Sequence, residues 1–416
     1  MHEDGLTARS QPARRRQWRE AAGRFADRIV LRRLQAALQG TCTGCLQLVL
    51  PSGEVTVLGR HGTAPQARLT INRYRGLWKL LRGGSLGFAE SYMDGDVDTA
   101  DLVAVFEFYF ENAEAVTAAI PSIDVTSGRD RVWHAGRSNT RTGSRRNISA
   151  HYDLGNDFYR LWLDPSLLYS SGIYQSPHDT LEAAQQRKIA HILSALEIGP
   201  GQALLEIGCG WGALAEAAAR SGASVRAITI SAQQHEAARG RIAAAGLDDR
   251  VAVVFEDYRD TPGTFERLVS IEMIEAVGEE NWPLYFATVA DRLKPGGVGV
   301  IQAITIREDA FERYRRNPDF IQRYIFPGGM LPTIELMQRR AAAEGLDFEI
   351  VERFGASYAA TLREWRHRFE LAWPRIAALG FDERFRRMWL YYLTYCEVGF
   401  ERGLIDVGLY RMRKPD

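Results

Sequence analysis

The sequence predicts an α/β protein: a parallel sheet with helices on both faces, preceded by a smaller α/β N-terminal domain. Two observations carry this. From Leu204 to Leu214, apolar residues run into an acid and glycines then alternate as Glu206-x-Gly208-x-Gly210-x-Gly212. An Ala-rich helical segment, 213–219, follows at once. That pattern is a strand, a tight turn and a helix N-terminus, with no Cβ to keep a ligand from the backbone. Further along, apolar runs at 203–207, 224–229, 251–254, 266–271 and 297–303 alternate with helical segments. Such alternation implies parallel strands joined by helices. Ligands of these sheets bind beyond the carboxyl ends of the strands. The glycine turn, Thr229-Ile230-Ser231 and Ser270-Ile271-Glu272 all fall there.

The preceding elements follow in order. Residues 1–40 read as a basic helix, with nine arginines (9, 14, 15, 16, 19, 24, 28, 32 and 33) against four acids. Trp18, Phe25, Ile29, Leu31, Leu34 and Leu38 are interleaved with them. Such a helix either lies in a lipid headgroup layer or packs on its own protein with a solvated basic face; both readings stay open. Residues 45–75 alternate around Pro51-Ser52-Gly53, a hairpin signal. Residues 75–120 look helical. Together these make an N-terminal domain over 1–125. Residues 126–148 are polar, basic and poor in aliphatics, and read as a linker. The strand–helix domain spans 149–416, and 305–375 interrupts its sheet with helices and aromatics expected to cover the site.

Composition excludes several classes. The 416 residues carry 52 basic and 52 acidic side chains, so overall charge names no partner and gives no reason to invoke nucleic acid. No apolar run approaches the roughly 20 residues that span a bilayer, and the charged start lacks a signal-peptide core. The expectation is a cytoplasmic protein that touches the inner membrane face. Cys42 and Cys45 form a C-x-x-C, but no second pair or histidines at ligand spacing follow. They read as packing, and no metal is expected.

The glycine spacing is neither G-x-G-x-x-G nor a phosphate loop, and its leading acid suits a cationic or polar ligand. It resembles motif I of class I S-adenosylmethionine (SAM) methyltransferases. Around it stand His151-Tyr152-Asp153-Leu154-Gly155-Asn156-Asp157-Phe158-Tyr159, Leu161-Trp162-Leu163-Asp164-Pro165 and Leu168-Tyr169-Ser170. Arg323-Tyr324-Ile325-Phe326-Pro327-Gly328-Gly329 and Phe354-Gly355-Ala356-Ser357-Tyr358 come later. In this order the blocks resemble the cyclopropane-fatty-acyl-phospholipid synthases, which include the mycolic acid cyclopropane synthases. The resemblance is strong from His151 onward. It is weaker upstream, where residues 84–95 resemble the N-terminal domain of the full-length bacterial enzymes.

That resemblance implies a Rossmann-like SAM-dependent methyltransferase sheet with helical lid insertions. It implies that Glu206, Gly208, Gly210 and Gly212 receive the cofactor, and that Thr229, Ile230 and Gln234 contact ribose and adenine. Phe255 and Glu256 would flank the adenine, and Tyr169 and Ser170 would close over the methionyl end.

It further implies methyl addition across a cis double bond of an acyl chain. The alkene is the nucleophile, and the resulting carbocation needs dry surroundings with negative or π-electron density. A base must then remove a proton from the new methyl. The family is understood to hold bicarbonate for this, between a Cys, a Glu, a His, a backbone group and a Tyr. By resemblance Glu275, Tyr358 and Ile304 match the Glu, the Tyr and the backbone group. Ser171 stands at the Cys position and Gln302 at the His position. Both can still donate hydrogen bonds to an oxyanion. The outcome is either tolerated variation in a cyclopropane synthase or an altered fate of the cation, giving methylene, methyl-branched or furan-precursor products. The expected partner is a membrane phospholipid with an unsaturated acyl chain, met at the membrane surface. A homodimer stays open, as does a non-catalytic lipid-binding relative. The aromatics Tyr314, Tyr324, Phe326, Trp365, Phe369, Trp373, Trp389, Tyr391 and Tyr392 either fill core or line an acyl tunnel.

Overall fold

The computed structural model describes residues 42–60, 62–121, 123 and 154–416, with scattered positions at 32–38 and 136–147. Most of the expected basic helix and of the expected linker, and His151, Tyr152 and Asp153, lie outside the described residues. The chain divides into two compact units, Met1–Val125 and Thr126–Asp416.

In the first unit, β1 (Cys45–Val49) and β2 (Val55–Gly59) form the hairpin signalled by Pro51-Ser52-Gly53. β3 (Gln66–Ile71) lies parallel to β1, and the short β4 (Val97–Asp98) completes a sheet ordered β2-β1-β3-β4. Three helices follow the expected helical stretch: α1 (Tyr74–Met93), α2 (Leu102–Glu111) and α3 (Ala113–Ala119). α1 breaks at Gly84, whose φ of 57° and ψ of −138° are outside the helical range. Cys42 and Cys45 are both buried in this unit.

The second unit opens with α4 (Asn156–Arg160) and α5 (Leu181–Ala195). Then β5 (Ala203–Ile207), α6 (Ala213–Arg220), β6 (Ser224–Thr229), α7 (Ala232–Ala244), β7 (Val251–Phe255) and β8 (Phe265–Ile271) alternate as the sequence predicts. α8 (Trp282–Arg292) leads into the long β9 (Leu293–Ile306). An insertion follows, made of α9 (Glu308–Arg316), one π-helical turn at Ile321–Ile325 and α10 (Ile334–Ala343). β10 (Asp347–Arg353), α11 (Gly355–Ala378), α12 (Glu383–Glu401) and β11 (Ile405–Arg413) complete the chain order. The sheet runs β7-β6-β5-β8-β9-β11-β10. β5 to β9 are parallel, whereas β11 is antiparallel to β9 and β10 antiparallel to β11.

The sequence reading stopped at five strands. It missed β10 and β11, although β11 alternates apolar and polar residues from Ile405 onward. β11 sits inside the sheet and extends it past β9.

Core packing follows the layers. Leu205, Ile207, Leu268 and Ile301 meet Trp282, Tyr285, Phe286 and Val289 of α8 on one face. The aromatic residues of α11 and α12 resolve mainly into core: Trp365, Phe369, Trp389, Tyr391 and Tyr392 are all buried. Phe158 and Trp162 pack edge-on against Trp389, with ring centroids 5.1 and 5.9 Å away. Glu397, only 1 % exposed, draws Arg363 and Arg366 of α11 onto α12. One described position in the stretch expected as a linker is firmly anchored. Asn139 donates to Glu280 Oε1 and Gly328 O, and its own carbonyl accepts from Arg259. Among the described residues no helix is long and apolar enough to cross a membrane.

Candidate functional site

The glycine turn sits at the carboxyl end of β5. Gly208, Gly210 and Gly212 have φ values of 81°, 52° and 84°, in the left-handed region that glycine enters without a Cβ penalty. Their surroundings differ. A Cβ on Gly212 would lie 3.1 Å from Ala238 Cβ, and one on Gly208 3.3 Å from Met273 Cγ. A Cβ on Gly210 would meet nothing within 4 Å. Gly210 therefore faces open space in the protein itself, as a ligand cradle requires.

Glu206 lies beneath this turn, 3 % exposed, and its Oε2 has no hydrogen-bond partner. Burial pushes its carboxyl up to about 8, and the Ala215 N–H at the start of α6 offsets this only in part. A buried, unpaired acceptor suits a ligand that brings positive charge or N–H donors. At the end of β6 Thr229, Ser231 and Gln234 knit together: Ser231 N–H donates to Thr229 Oγ1 at 3.1 Å, and Thr229 Oγ1 to Gln234 Oε1 at 3.2 Å. Ile230 lies between them, half-buried. Beyond β7, Phe255 is 44 % exposed and offers a flat apolar face. Glu256 is drawn elsewhere, with Oε2 2.7 Å from Arg226 Nη2. These residues sit at the ends of three neighbouring strands, and they fit SAM.

The second cluster lies at the end of β8, the strand that pairs with β5. Its centre is a residue to which the sequence reading gave no role. Glu272 Oε1 accepts from Ser171 N–H at 3.0 Å and from Gln302 Nε2 at 2.7 Å. Glu272 Oε2 accepts from the Tyr358 hydroxyl at 2.7 Å. Three of the positions expected around a bicarbonate thus converge on a side-chain carboxylate. Those donors are taken, so the residues present do not fit a bicarbonate among them. The Ser171 hydroxyl also departs from expectation: it donates to Gly172 O, and the backbone N–H is the group that reaches the acid.

Glu275 and Ile304, expected as two separate ligands of an anion, bond to each other instead, with Ile304 N–H 2.6 Å from Glu275 Oε1. Glu275 Oε2 is sealed and unpartnered. Trp282 Nε1 and Met330 N–H fix the turn by donating to the carbonyls of Ile274 and Glu275. As residues Glu272 and Glu275 are only partly buried, but their carboxyl groups are set deep. Burial, then the nearby Glu272 charge, push Glu275 up to about 8. Burial raises Glu272 as well, against the Tyr358 hydrogen bond and the Lys188 charge.

Lys188 is a second group the sequence reading missed. It is 1 % exposed on α5, and its ammonium donates to Ser170 Oγ at 2.6 Å. Burial pulls it down to about 8, while Glu272 and Asp164 hold it up. Gln185 Nε2 donates to Ser170 O, so both features of Ser170 are engaged by α5. Tyr169 shares a 2.9 Å hydrogen bond with the Tyr392 hydroxyl. The 169–174 loop is tied to α11 by Gly172 N–H on Thr361 Oγ1 and Tyr174 N–H on Ser357 Oγ. Tyr358 itself stacks on Phe400, with centroids 4.4 Å apart.

The raised Glu206 carboxyl has a consequence for stability. Unfolded, it loses its proton near 4.5; folded, it holds the proton up to about 8. The folded state binds more protons across that window, so this contribution to stability falls as pH rises from about 4.5 to about 8. Glu206→Gln is expected to flatten the slope of urea midpoint against pH in ligand-free protein. An unaltered slope would mean that the acid is already ionised in the fold.

Comparison with known proteins agrees with this geometry. The model of the mycolic acid cyclopropane synthetase family matches residues 139–409. The chain is 39 % identical over 343 residues to tuberculostearic acid methyltransferase UfaA1 of Mycobacterium tuberculosis, covering 78 % of each. It is 36 % identical over 364 residues to cyclopropane-fatty-acyl-phospholipid synthase of Escherichia coli, covering 85 % of this chain and 88 % of that one. Mycolic acid cyclopropane synthase CmaA1, solved with SAH and CTAB, superposes with a TM-score of 0.60 at 30 % identity, over 65 % of this chain and 98 % of that one. The glycine turn, the sheet order and these matches together place the chain in the mycolic acid cyclopropane synthetase family, the SAM-dependent methyltransferases of lipid chains.

Proposed function

We propose that the protein methylates the cis double bond of an unsaturated fatty acyl chain carried by a membrane phospholipid, and that the product is a cyclopropane. The observation that carries this reading is the deep pair Glu272 and Glu275 beside the glycine turn, with aromatic rings packed around it. SAM, when bound, supplies an electrophilic methyl group. Gly210 gives it room, with Gly208 and Gly212 shaping the turn around it, and Thr229, Ile230, Gln234 and Phe255 receive its nucleoside end. The acids and the Tyr358 ring provide negative and π-electron density for a carbocation on the acyl chain. Burial of these groups keeps water from capturing that cation. A methylene or methyl-branched product is the second reading. It is favoured by the Glu272 carboxylate lying where a free anion was expected, because the position of the base decides which proton leaves.

Incubating the protein with SAM and vesicles of a cis-monounsaturated phospholipid should add about 14 Da to the acyl chain, the mass of one CH2. NMR of the product should show ring methylenes; vinylidene protons instead would establish the second reading. No mass gain with any unsaturated lipid would sink both.

Gly210→Val is expected to abolish SAM binding in calorimetry. Its side chain would enter space that no protein atom occupies, while the left-handed backbone adds about 1 kcal/mol of strain. Unchanged affinity would show that the cofactor lies elsewhere.

The nine arginines of the first 40 residues are proposed to draw the protein peripherally onto anionic membranes at the cytoplasmic face. Flotation with anionic vesicles should weaken as salt rises, since exposed charges are screened. Salt-independent flotation with neutral lipid would contradict this.

A further inference from the structure

We propose that Glu272 is the built-in base of the reaction, its carboxylate standing in for a free bicarbonate ion. This rests on the reading of methyl transfer to an acyl double bond. Three observations meet at this residue. First, donors from three separate segments converge on it: Ser171 N–H and Gln302 Nε2 on Oε1, and the Tyr358 hydroxyl on Oε2. A carboxylate has about four acceptor sites, so Oε1 is filled and Oε2 keeps one lone pair.

Second, the backbone at Glu272 is left-handed, with φ of 48°. A residue other than glycine is strained there. Non-glycine residues held there cluster at functional sites, where the surroundings enforce the conformation. Here Glu272 N–H donates to Gln302 O at 2.8 Å, so one residue of β9 grips both the backbone and the side chain.

Third, the charge is balanced within the pocket. Buried Lys188 holds the Glu272 carboxyl down, while burial, and then the Glu272 charge, push Glu275 up to about 8. Of the two acids, Glu272 is the one set against a cation and three side-chain or backbone donors that favour its charged form.

The chemistry balances without a further reagent. The alkene electron pair forms a bond to the methyl carbon as the carbon–sulfur bond breaks, leaving S-adenosylhomocysteine and a carbocation. A C–H bond of the delivered methyl then breaks. Its electron pair closes the ring, and its proton goes to Glu272 Oε2.

The test begins with the wild-type enzyme, degassed free of bicarbonate and given SAM with vesicles of cis-monounsaturated phosphatidylglycerol. S-adenosylhomocysteine release and lipid product are both measured. Turnover is expected to be unchanged by bicarbonate removal. Glu272→Gln should keep SAM affinity and lose about 100-fold or more in turnover, the usual contribution of a general base. Glu272→Gly relaxes the left-handed backbone and empties the donor set, so added bicarbonate or formate should restore turnover in that variant and leave the wild type unaffected. A wild type that needs bicarbonate would overturn the proposal, whatever the variants do. Near-wild-type turnover in Glu272→Gln would overturn it too. A wild type that binds SAM but releases no S-adenosylhomocysteine with unsaturated lipid would instead remove the parent reading, and this proposal with it.

Discussion

A carboxylate set deep under the end of β8 must be satisfied, and four separate stretches of the second unit are arranged around that need. The 169–174 loop brings the Ser171 N–H, β9 brings Gln302, and α11 brings Tyr358. The turn after β8 brings the acid itself. An unpaired buried charge costs several kcal/mol, so these segments are coupled: displacing one leaves the acid under-satisfied and loosens the others. The same requirement explains the side links. Gly172 and Tyr174 are tied to α11 by Thr361 and Ser357, and the turn at Glu275 is held by Trp282 and Met330. The helical layer and the sheet are thus clamped through polar bonds at the point where the two carboxylates lie.

The cofactor side follows a different physical rule. There the backbone is arranged to leave space. A side chain on Gly210 would meet no protein atom, whereas one on Gly208 or Gly212 would press against Met273 or Ala238. Of three glycines in an even spacing, two close the turn onto its neighbours and one opens it. Met273, the neighbour that a side chain on Gly208 would meet, lies between Glu272 and Glu275 in the chain. Cofactor turn and acid pair are therefore neighbours at the ends of two paired strands, β5 and β8.

Much of this was legible in the sequence, and the misses have physical causes. The five parallel strands announced themselves as short apolar runs between helices, and the glycine turn fixed the end at which ligands meet the sheet. β10 was lost because a half-exposed edge strand such as Asp347–Arg353 carries little apolar signal. β11 did carry period-two alternation, but a long helical stretch separates it from the five parallel strands. Ser171, Gln302, Glu275, Ile304 and Tyr358 were found as positions. Their pairing was not, because hydrogen-bond geometry depends on where Glu272 points. The local signal for Glu272 was an acid at a strand end, three residues before Glu275. What makes it unusual, a left-handed φ and three donors from distant segments, is not written in any local pattern. Lys188 escaped for a similar reason, since a lysine in a helix reads as solvated until the fold buries it. Glu256 shows the reverse case: a residue placed by resemblance near a ligand is held by Arg226 of the adjacent strand.

The position of β11 has a consequence for the order of assembly. This strand lies between β9 and β10, pairs Leu409 with Gln302 and Val407 with Ile304, and through Asp406 receives the N–H of Gly355 at the start of α11. Yet it follows every other element of the site along the chain. During synthesis, β9 can dock on β8 while its other edge still lacks a neighbour. The start of α11, which carries Tyr358, meanwhile lacks its anchor. The acid pocket is thus a late product of folding, closed only when this stretch has left the ribosome and threaded into the sheet. Until then β9 presents an unpaired strand edge, the kind of surface on which nascent chains associate and chaperones act.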